Sequence, residues 1–418
     1  MPEDPPTANA MADPSFRRLW IAALLAQSGS ALGSVAVPLI AVGELGLSSA
    51  TVALLATTAA VTILVSALPA GYVAEFRRKR PLMIGADLGR AAMFSLLAVL
   101  LLTGTLHAAW MFVALAVNAA LQILFGSASS AHTKELLAPA IRADGLGKLQ
   151  AATWTALILG PSAAGVLASV TSPAVLLLVN TATFVLSAVL VRSIPRPEGP
   201  PPQRSAHTRR SREALAGARF LLGEPMLRRL FLSWLLFAGA VAALTPVTQV
   251  FALRDLQFTS LQYGLYMGIP SLGGLAGAWV TGRVAARWRL GPTVWWSSLL
   301  RTPWYALYPL AAPGTPGLVL LVVAFTAVLF FSSITNSAMA ALRMELTPDH
   351  LMSRSSAAWS IATMGAGPAL IPLVGVFAQA TSTRSALWLV FALVGISLLA
   401  LPASRLLRPN GAAGPGSG

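Results

Sequence analysis

Apolar residues in this chain neither stripe one side of a helix nor alternate as in a half-buried strand; they run on. Leu19–Val42, Ala108–Ala131 and Ala386–Ala403 are almost unbroken. A hydrocarbon layer about 30 Å thick takes roughly 20 helical residues to cross. Only helices and closed barrels satisfy their backbone groups in lipid, and continuous runs fit helices, because barrel strands alternate. Turn and charge signals between the runs predict membrane-spanning helices near 18–42, 51–74, 82–104, 109–131, 149–170 and 174–194. A second set is predicted near 227–251, 261–285, 292–312, 317–340, 353–377 and 385–405. The expected fold class is therefore an all-α membrane protein of twelve transmembrane helices.

Composition removes the soluble alternative. Of 418 residues, 56% are hydrophobic and 10% charged, against about 25% charged in an ordinary soluble domain. Cysteine is absent, which excludes disulfides and thiolate metal sites. Met1–Ser15 lacks the basic start of a signal peptide, so the first helix is expected to stay in the protein. A net charge of +15 would point to nucleic acid in a soluble chain, but its distribution points to topology instead. Of 29 Lys and Arg, 25 fall on one side of the predicted spans, Arg254 and Arg384 on the other, and Arg90 and Arg301 within spans. Positive residues stay cytoplasmic, which places both termini inside.

The chain also repeats itself. Pro14-Ser15-Phe16-Arg17-Arg18-Leu19-Trp20 matches Pro225-Met226-Leu227-Arg228-Arg229-Leu230-Phe231, and the same shift of 211 carries Gly71 onto Gly282, Pro81 onto Pro292 and Arg90 onto Arg301. Pro139 pairs with Pro348, and Gly160-Pro161 with Gly367-Pro368 at a shift of 207. Equivalent positions lie on equivalent sides, so the repeats are parallel. The organisation expected is a disordered tail over 1–15, a six-helix bundle over 16–194, a cytoplasmic linker over 195–226, a second six-helix bundle over 227–405 and a disordered tail over 406–418. The linker is Pro-rich, then basic, and ends in an expected amphipathic surface helix, Ser211–Gly223.

Two six-helix repeats with a long middle loop resemble the major facilitator superfamily. Gly71-Tyr72-Val73-Ala74-Glu75-Phe76-Arg77-Arg78-Lys79-Arg80 is similar to the family signature between helices 2 and 3, Gly-x-Leu-x-Asp-Arg-x-Gly-Arg-Arg/Lys. Glu75 keeps the acidic charge of that signature, whereas Phe76 and Arg78 depart from it. Ala86-Asp87-Leu88-Gly89-Arg90 resembles a branch that includes macrolide and siderophore exporters. Gly160-Pro161-Ser162-Ala163-Ala164-Gly165 is similar to a Gly-Pro-x-x-Gly-Gly stretch of proton-exchanging exporters.

The resemblance implies a transporter working by alternating access, with no cofactor and a proton gradient as energy source. It implies gating roles for Gly71, Glu75, Arg77, Arg78, Lys79 and Arg80. Gly160, Pro161, Gly165, Gly367 and Pro368 are expected to act in conformational change, Pro161 by freeing a backbone carbonyl. Asp87 and Arg90, three apart on one helix, are expected to pair; with Arg301 and Glu44 they are the candidates for charge pairing or coupling. Ser298 stands where Asp87 has its counterpart in the second repeat. Spans 1, 4, 7 and 10 line the cavity in this fold, which nominates Gln27, Ser30, Asn118, Gln122, Thr245, Gln249 and Asn336 as substrate contacts. Uncharged amides and hydroxyls among aromatic residues suit a bulky apolar or amphipathic molecule, a drug or a secondary metabolite.

No phosphate loop is present, and the four histidines are scattered in predicted loops, so neither ATP driving, a metal site nor an enzyme is expected. The expected protein is a monomeric multi-pass exporter of the plasma membrane, in contact with its substrate and lipid and not with nucleic acid. Uptake or facilitated diffusion on the same fold is the alternative.

Overall fold

A computed structural model describes residues 9–138, 141–198, 219–348 and 351–402. Residues 1–8 of the expected first tail, all of the expected tail over 406–418, and residues 199–218 of the expected linker, including 211–218 of its surface helix, lie outside the described residues.

Every regular element among the described residues is helical. In chain order these are α1 (Pro14–Pro38), α2 (Ser49–Phe76), α3 (Lys79–Leu102), α4 (Ala108–Leu136), α5 (Arg142–Val170) and α6 (Pro173–Arg192), then α7 (Pro225–Val250), α8 (Ser260–Gly268), α9 (Ser271–Trp288), α10 (Leu290–Arg301), α11 (Thr315–Leu346), α12 (Met352–Ala380) and α13 (Thr383–Leu399). Their starts follow from local chemistry. Asp13 caps α1 by accepting from Ser15 N at 2.7 Å and Phe16 N at 3.3 Å, with Pro14 at the first position. Ser48 caps α2 in the same way. The repeat reappears in the backbone: α1 and α7 each end beyond a proline, Pro38 and Pro246, in a π-turn, Leu39–Glu44 and Phe251–Asp255.

Among the described residues, nine helices are long and apolar enough to cross a membrane. Three of the twelve predicted spans differ from the continuous helices expected. The segment expected at 261–285 breaks at Ile269-Pro270 into α8 and α9, because proline lacks an N–H and its ring clashes with the preceding turn. The segment expected at 292–312 is α-helical only to Arg301 and continues as the 3-10 turn Thr302–Leu310, which carries Pro303 and Pro309. The last, α13, has 17 residues and stops short of Pro402. A fourth difference is at the start. Residues 9–15, expected within a disordered tail, are ordered: Ala10–Ala12 form a 3-10 turn, and Ala10 N donates to Asp144 of α5 at 2.8 Å.

The helices form two compact units. The first holds residues 1–206 together with 252–268, and the second holds 207–251 and 269–418. In the first unit, α1 packs between α5 and α6, while α3 packs on α4 and α6. Phe16, Leu19, Met83, Phe94, Leu97, Met111 and Phe184 are among its large buried side chains. In the second unit, α7 packs on α12 and α13, and a core of Leu227, Leu230, Phe231, Met339, Leu342 and Trp359 sits at one end. Large apolar side chains also point outward. Val170 is 76% exposed, Trp279 81% and Leu399 83%, a surface that water would penalise and lipid would not.

Candidate functional site

Within the first unit lies a hollow of about 410 Å³ lined by Gln27, Arg90, Gln122, Ser129, Ser130, Gln150 and Thr153, with Ala23, Phe125 and Leu149 among its apolar walls. α1, α3, α4 and α5 each contribute to it. Gln27 Nε2 donates to Thr153 Oγ1 at 3.1 Å, which ties α1 to α5 at the wall. Two of the residues nominated from sequence, Gln27 and Gln122, face the hollow. Ser30 and Asn118 do something else: they hold Arg90.

That guanidinium is 1% exposed and all three of its nitrogens are engaged. Nε donates to Asn118 Oδ1 at 3.0 Å and Nη2 to Ser30 Oγ at 2.6 Å. Nη1 stands 3.7 Å from Asp87 Oδ1 as a buried ion pair, and the carbon of the guanidinium lies 3.8 Å from the centre of the Phe184 ring. A buried cation is tolerable when a carboxylate offsets its charge and acceptors fill its N–H groups. The expected pairing of Asp87 with Arg90 is therefore present, and Arg90 forms part of the cavity wall.

The Gly-Pro stretch of α5 makes the tightest helix contacts in this unit. A Cβ built at Gly160 would lie 2.3 Å from Ala31 Cβ of α1. One built at Gly165 would lie 2.6 Å from Gly264 Cα, and one at Gly264 would lie 2.7 Å from the Pro161 carbonyl oxygen. Gly268 meets Ser162 and the Ile158 carbonyl in the same way. Small residues four apart let two backbones approach in lipid. Sequence reasoning found one half of this contact and missed the other, although Gly264-Leu265-Tyr266-Met267-Gly268 carries the spacing openly.

The loop motif is placed differently from expectation. Gly71 is exposed, and a Cβ there would meet nothing within 4 Å. Glu75 ends α2 as an exposed residue, and Arg77 and Arg78 are exposed between α2 and α3. Lys79, by contrast, is 3% exposed and pairs with Glu135 of α4 at 2.8 Å. Glu198, from the linker, accepts from the Lys79 and Arg80 backbone N–H groups at the positive end of α3. His132, expected in a loop, is buried in α4 with Nδ1 3.4 Å from Glu135. Ligand atoms of His132, Glu135 and Glu198 lie within 4.8 Å of one another, a grouping the scattered positions in sequence did not predict. Its carboxylates already serve Lys79 and the end of α3, so the set is a neutralised clasp, poorly suited to a second cation.

The remaining sequence candidates are not among the residues that line this hollow. Glu44 is exposed at the end of the π-turn after α1. In the second unit, Thr245 and Asn336 are exposed and Gln249 is half-buried. Gly367 is buried beside Pro368 inside α12. Arg301 ends α10, 3% exposed, with its guanidinium carbon 3.4 Å from the centre of the Phe237 ring. Gln150, Thr153, Ser129 and Ser130 were not anticipated in the cavity. They lie on α4 and α5, where apolar residues surround the polar ones and no stripe marks the inward face.

No curated protein matches the chain. Solved structures do, over nearly its whole length. The nucleoside transporter NupG superposes with a TM-score of 0.75 at 14% identity, covering 94% of this chain and 99% of that one. A bacterial homologue of the iron transporter ferroportin in its inward-facing state gives 0.69 at 16% identity, covering 93% and 97%. A bacterial homologue of the human lysosomal transporter Spinster, inward-facing and occupied, gives 0.72 at 11%, covering 96% and 98%. At such identities the likeness is one of fold. The sequence pattern of the Major Facilitator Superfamily matches residues 19–371, and the chain belongs to that family.

Proposed function

We propose that this membrane transporter exports a small, bulky apolar or amphipathic compound across the plasma membrane by alternating access, in exchange for protons. In this reading twelve spans form two six-helix bundles with cytoplasmic termini, and the protein works as a monomer in contact with lipid. The observation that carries it is the hollow of about 410 Å³, walled by Gln27, Gln122 and Gln150 with Arg90 and Phe125. It is a volume suited to a small molecule, with amides, hydroxyls and a guanidinium to orient it and apolar side chains between them. The excess of basic residues on one side supports the orientation. Asp87 and Glu75 are the residues proposed for coupling and gating, and Glu44 is a further acid on the opposite side.

Uptake or facilitated passage by the same fold is the second reading. The amide-rich lining favours it, because it suits a polar cargo as well as an amphipathic one.

Cells of a sensitive strain expressing the protein are expected to accumulate less of some member of a broad compound panel, and a protonophore is expected to abolish the difference. Higher accumulation on expression would reverse the direction to uptake. Unchanged accumulation of every compound would end the transport reading.

A further inference from the structure

Arg90 and Arg301 occupy equivalent places in the two repeats, and the structure gives them unequal surroundings. Arg90 has a carboxylate, an amide and a hydroxyl on its three nitrogens. Arg301 is as deeply buried, yet its Nε and Nη1 have no hydrogen-bond partner among the described residues. The residue three positions earlier, where Arg90 has Asp87, is Ser298.

A distant carboxylate does not fill the gap. The sequence contains no Asp or Glu at all between residues 256 and 344, nor between 350 and 418. α7, whose Phe237 covers the guanidinium, carries none either. The ring of Phe237 at 3.4 Å offers its negative face, and such contacts are stabilising when desolvated. A ring face cannot accept the in-plane N–H groups, however. Burying a cation away from water is costly unless it is paired and hydrogen-bonded, and ionisable residues within membrane segments mark substrate or ion pathways. Guanidinium also matches carboxylate and phosphate oxygens better than any neutral acceptor, through several N–H groups at once.

We propose that Arg301 is the receptor for a single carboxylate or phosphate group carried by the molecule this protein transports. The first repeat supplies its arginine with a counter-charge built into the same helix; the second leaves that place to the cargo. The identity of the ligand as cargo rests on the transport reading above. The existence of the anion site does not. The cargo is then an amphipathic anion.

The test is unfolding of the purified full chain, followed by tryptophan fluorescence in nanodiscs of zwitterionic lipid. The probes are benzoate and phenyl phosphate, with benzamide and phenol as neutral counterparts, at constant ionic strength. Benzoate or phenyl phosphate is expected to raise the unfolding midpoint of the native protein more than its neutral counterpart does. Losing a hydrogen bond to a charged group weakens binding by about tenfold to a hundredfold, so Arg301→Gln should show a loss of that order. Arg301→Lys should keep a weakened response. Ser298→Asp recreates the arrangement of the first repeat, so it should fold at least as well as the native chain and lose the response to anions.

Equal shifts by the anions and their neutral counterparts in the native protein would overturn the proposal. So would an anion response that survives both Arg301→Gln and Ser298→Asp. Repeating the native measurement in nanodiscs containing phosphatidylglycerol separates the sources. A shift caused by that lipid and not by the soluble anions assigns the site to a headgroup and refutes the cargo. Transport of neutral amphiphiles that is untouched by Arg301→Gln would also refute the cargo assignment while leaving transport standing. Anion binding in a protein that moves no compound would sink transport and leave the anion site.

Discussion

The two units solve one problem in two ways. Each buries an arginine at the same point of its repeat, but the first surrounds Arg90 with Asp87, Asn118 and Ser30, whereas the second leaves Arg301 against Phe237. The α5 helix shows a parallel contrast. Its Gly165 receives α8 at backbone contact, whereas Pro372 stands at the corresponding place in α12. A duplicated fold thus keeps its helices while its buried arginines differ: one has a carboxylate beside it and the other lies against a ring. Close glycine contacts occur in both units, at Gly165 and Gly264 in the first and at Gly273 and Gly277 in the second.

The largest effect expected from perturbing this contrast follows Asp87→Asn, which makes the first unit resemble the second. Removing one partner of a buried pair costs about 3–5 kcal/mol. Chemical unfolding of the solubilised protein should register a loss of that size. An unchanged midpoint would mean that Asn118, Ser30 and Phe184 suffice for Arg90, and that the units differ less than their charges imply. Next in size, Gly264→Ala should cost about 1–3 kcal/mol through overpacking, because its Cβ would press on the Pro161 carbonyl and the Gly165 backbone. Gly71→Ala and Gly365→Ala, where a Cβ meets nothing within 4 Å, serve as controls and should leave the unfolding midpoint where it is. Among the substitutions expected to lower stability, Gln27→Leu has the smallest effect. It deletes the bond to Thr153, and such interhelical bonds average about 0.6 kcal/mol. Its effect should appear instead in compound accumulation, since Gln27 faces the hollow; unaltered accumulation with every compound would remove that wall from the substrate path.

Much of this was readable before any coordinates. Run lengths of apolar residues locate the helices because lipid thickness imposes them, and the matches at a shift of 211 locate the equivalences. The pairing of Asp87 with Arg90 follows from spacing alone. The facing of individual polar residues does not. In helices that are apolar all round, Gln150 and Thr153 look like Thr155 or Ser169, and only packing tells them apart. Gly71 shows the converse: a signature glycine is recognisable in sequence, but its contacts depend on which helix stands nearby. The breaks at Pro270 and Pro303 were likewise visible as prolines, yet their geometric outcomes, a split helix and a 3-10 turn, depend on what neighbouring helices can satisfy.

One consequence of the packing concerns biogenesis. The first unit is incomplete until residues 252–268 arrive, and residues 207–251, which belong to the other unit, must be made before them. As the chain leaves the ribosome, the glycine-lined side of α5 waits against lipid for a partner not yet synthesised. The early half therefore enters the membrane with a vacancy that its successor must find, and insertion of the two halves is an ordered event from the start.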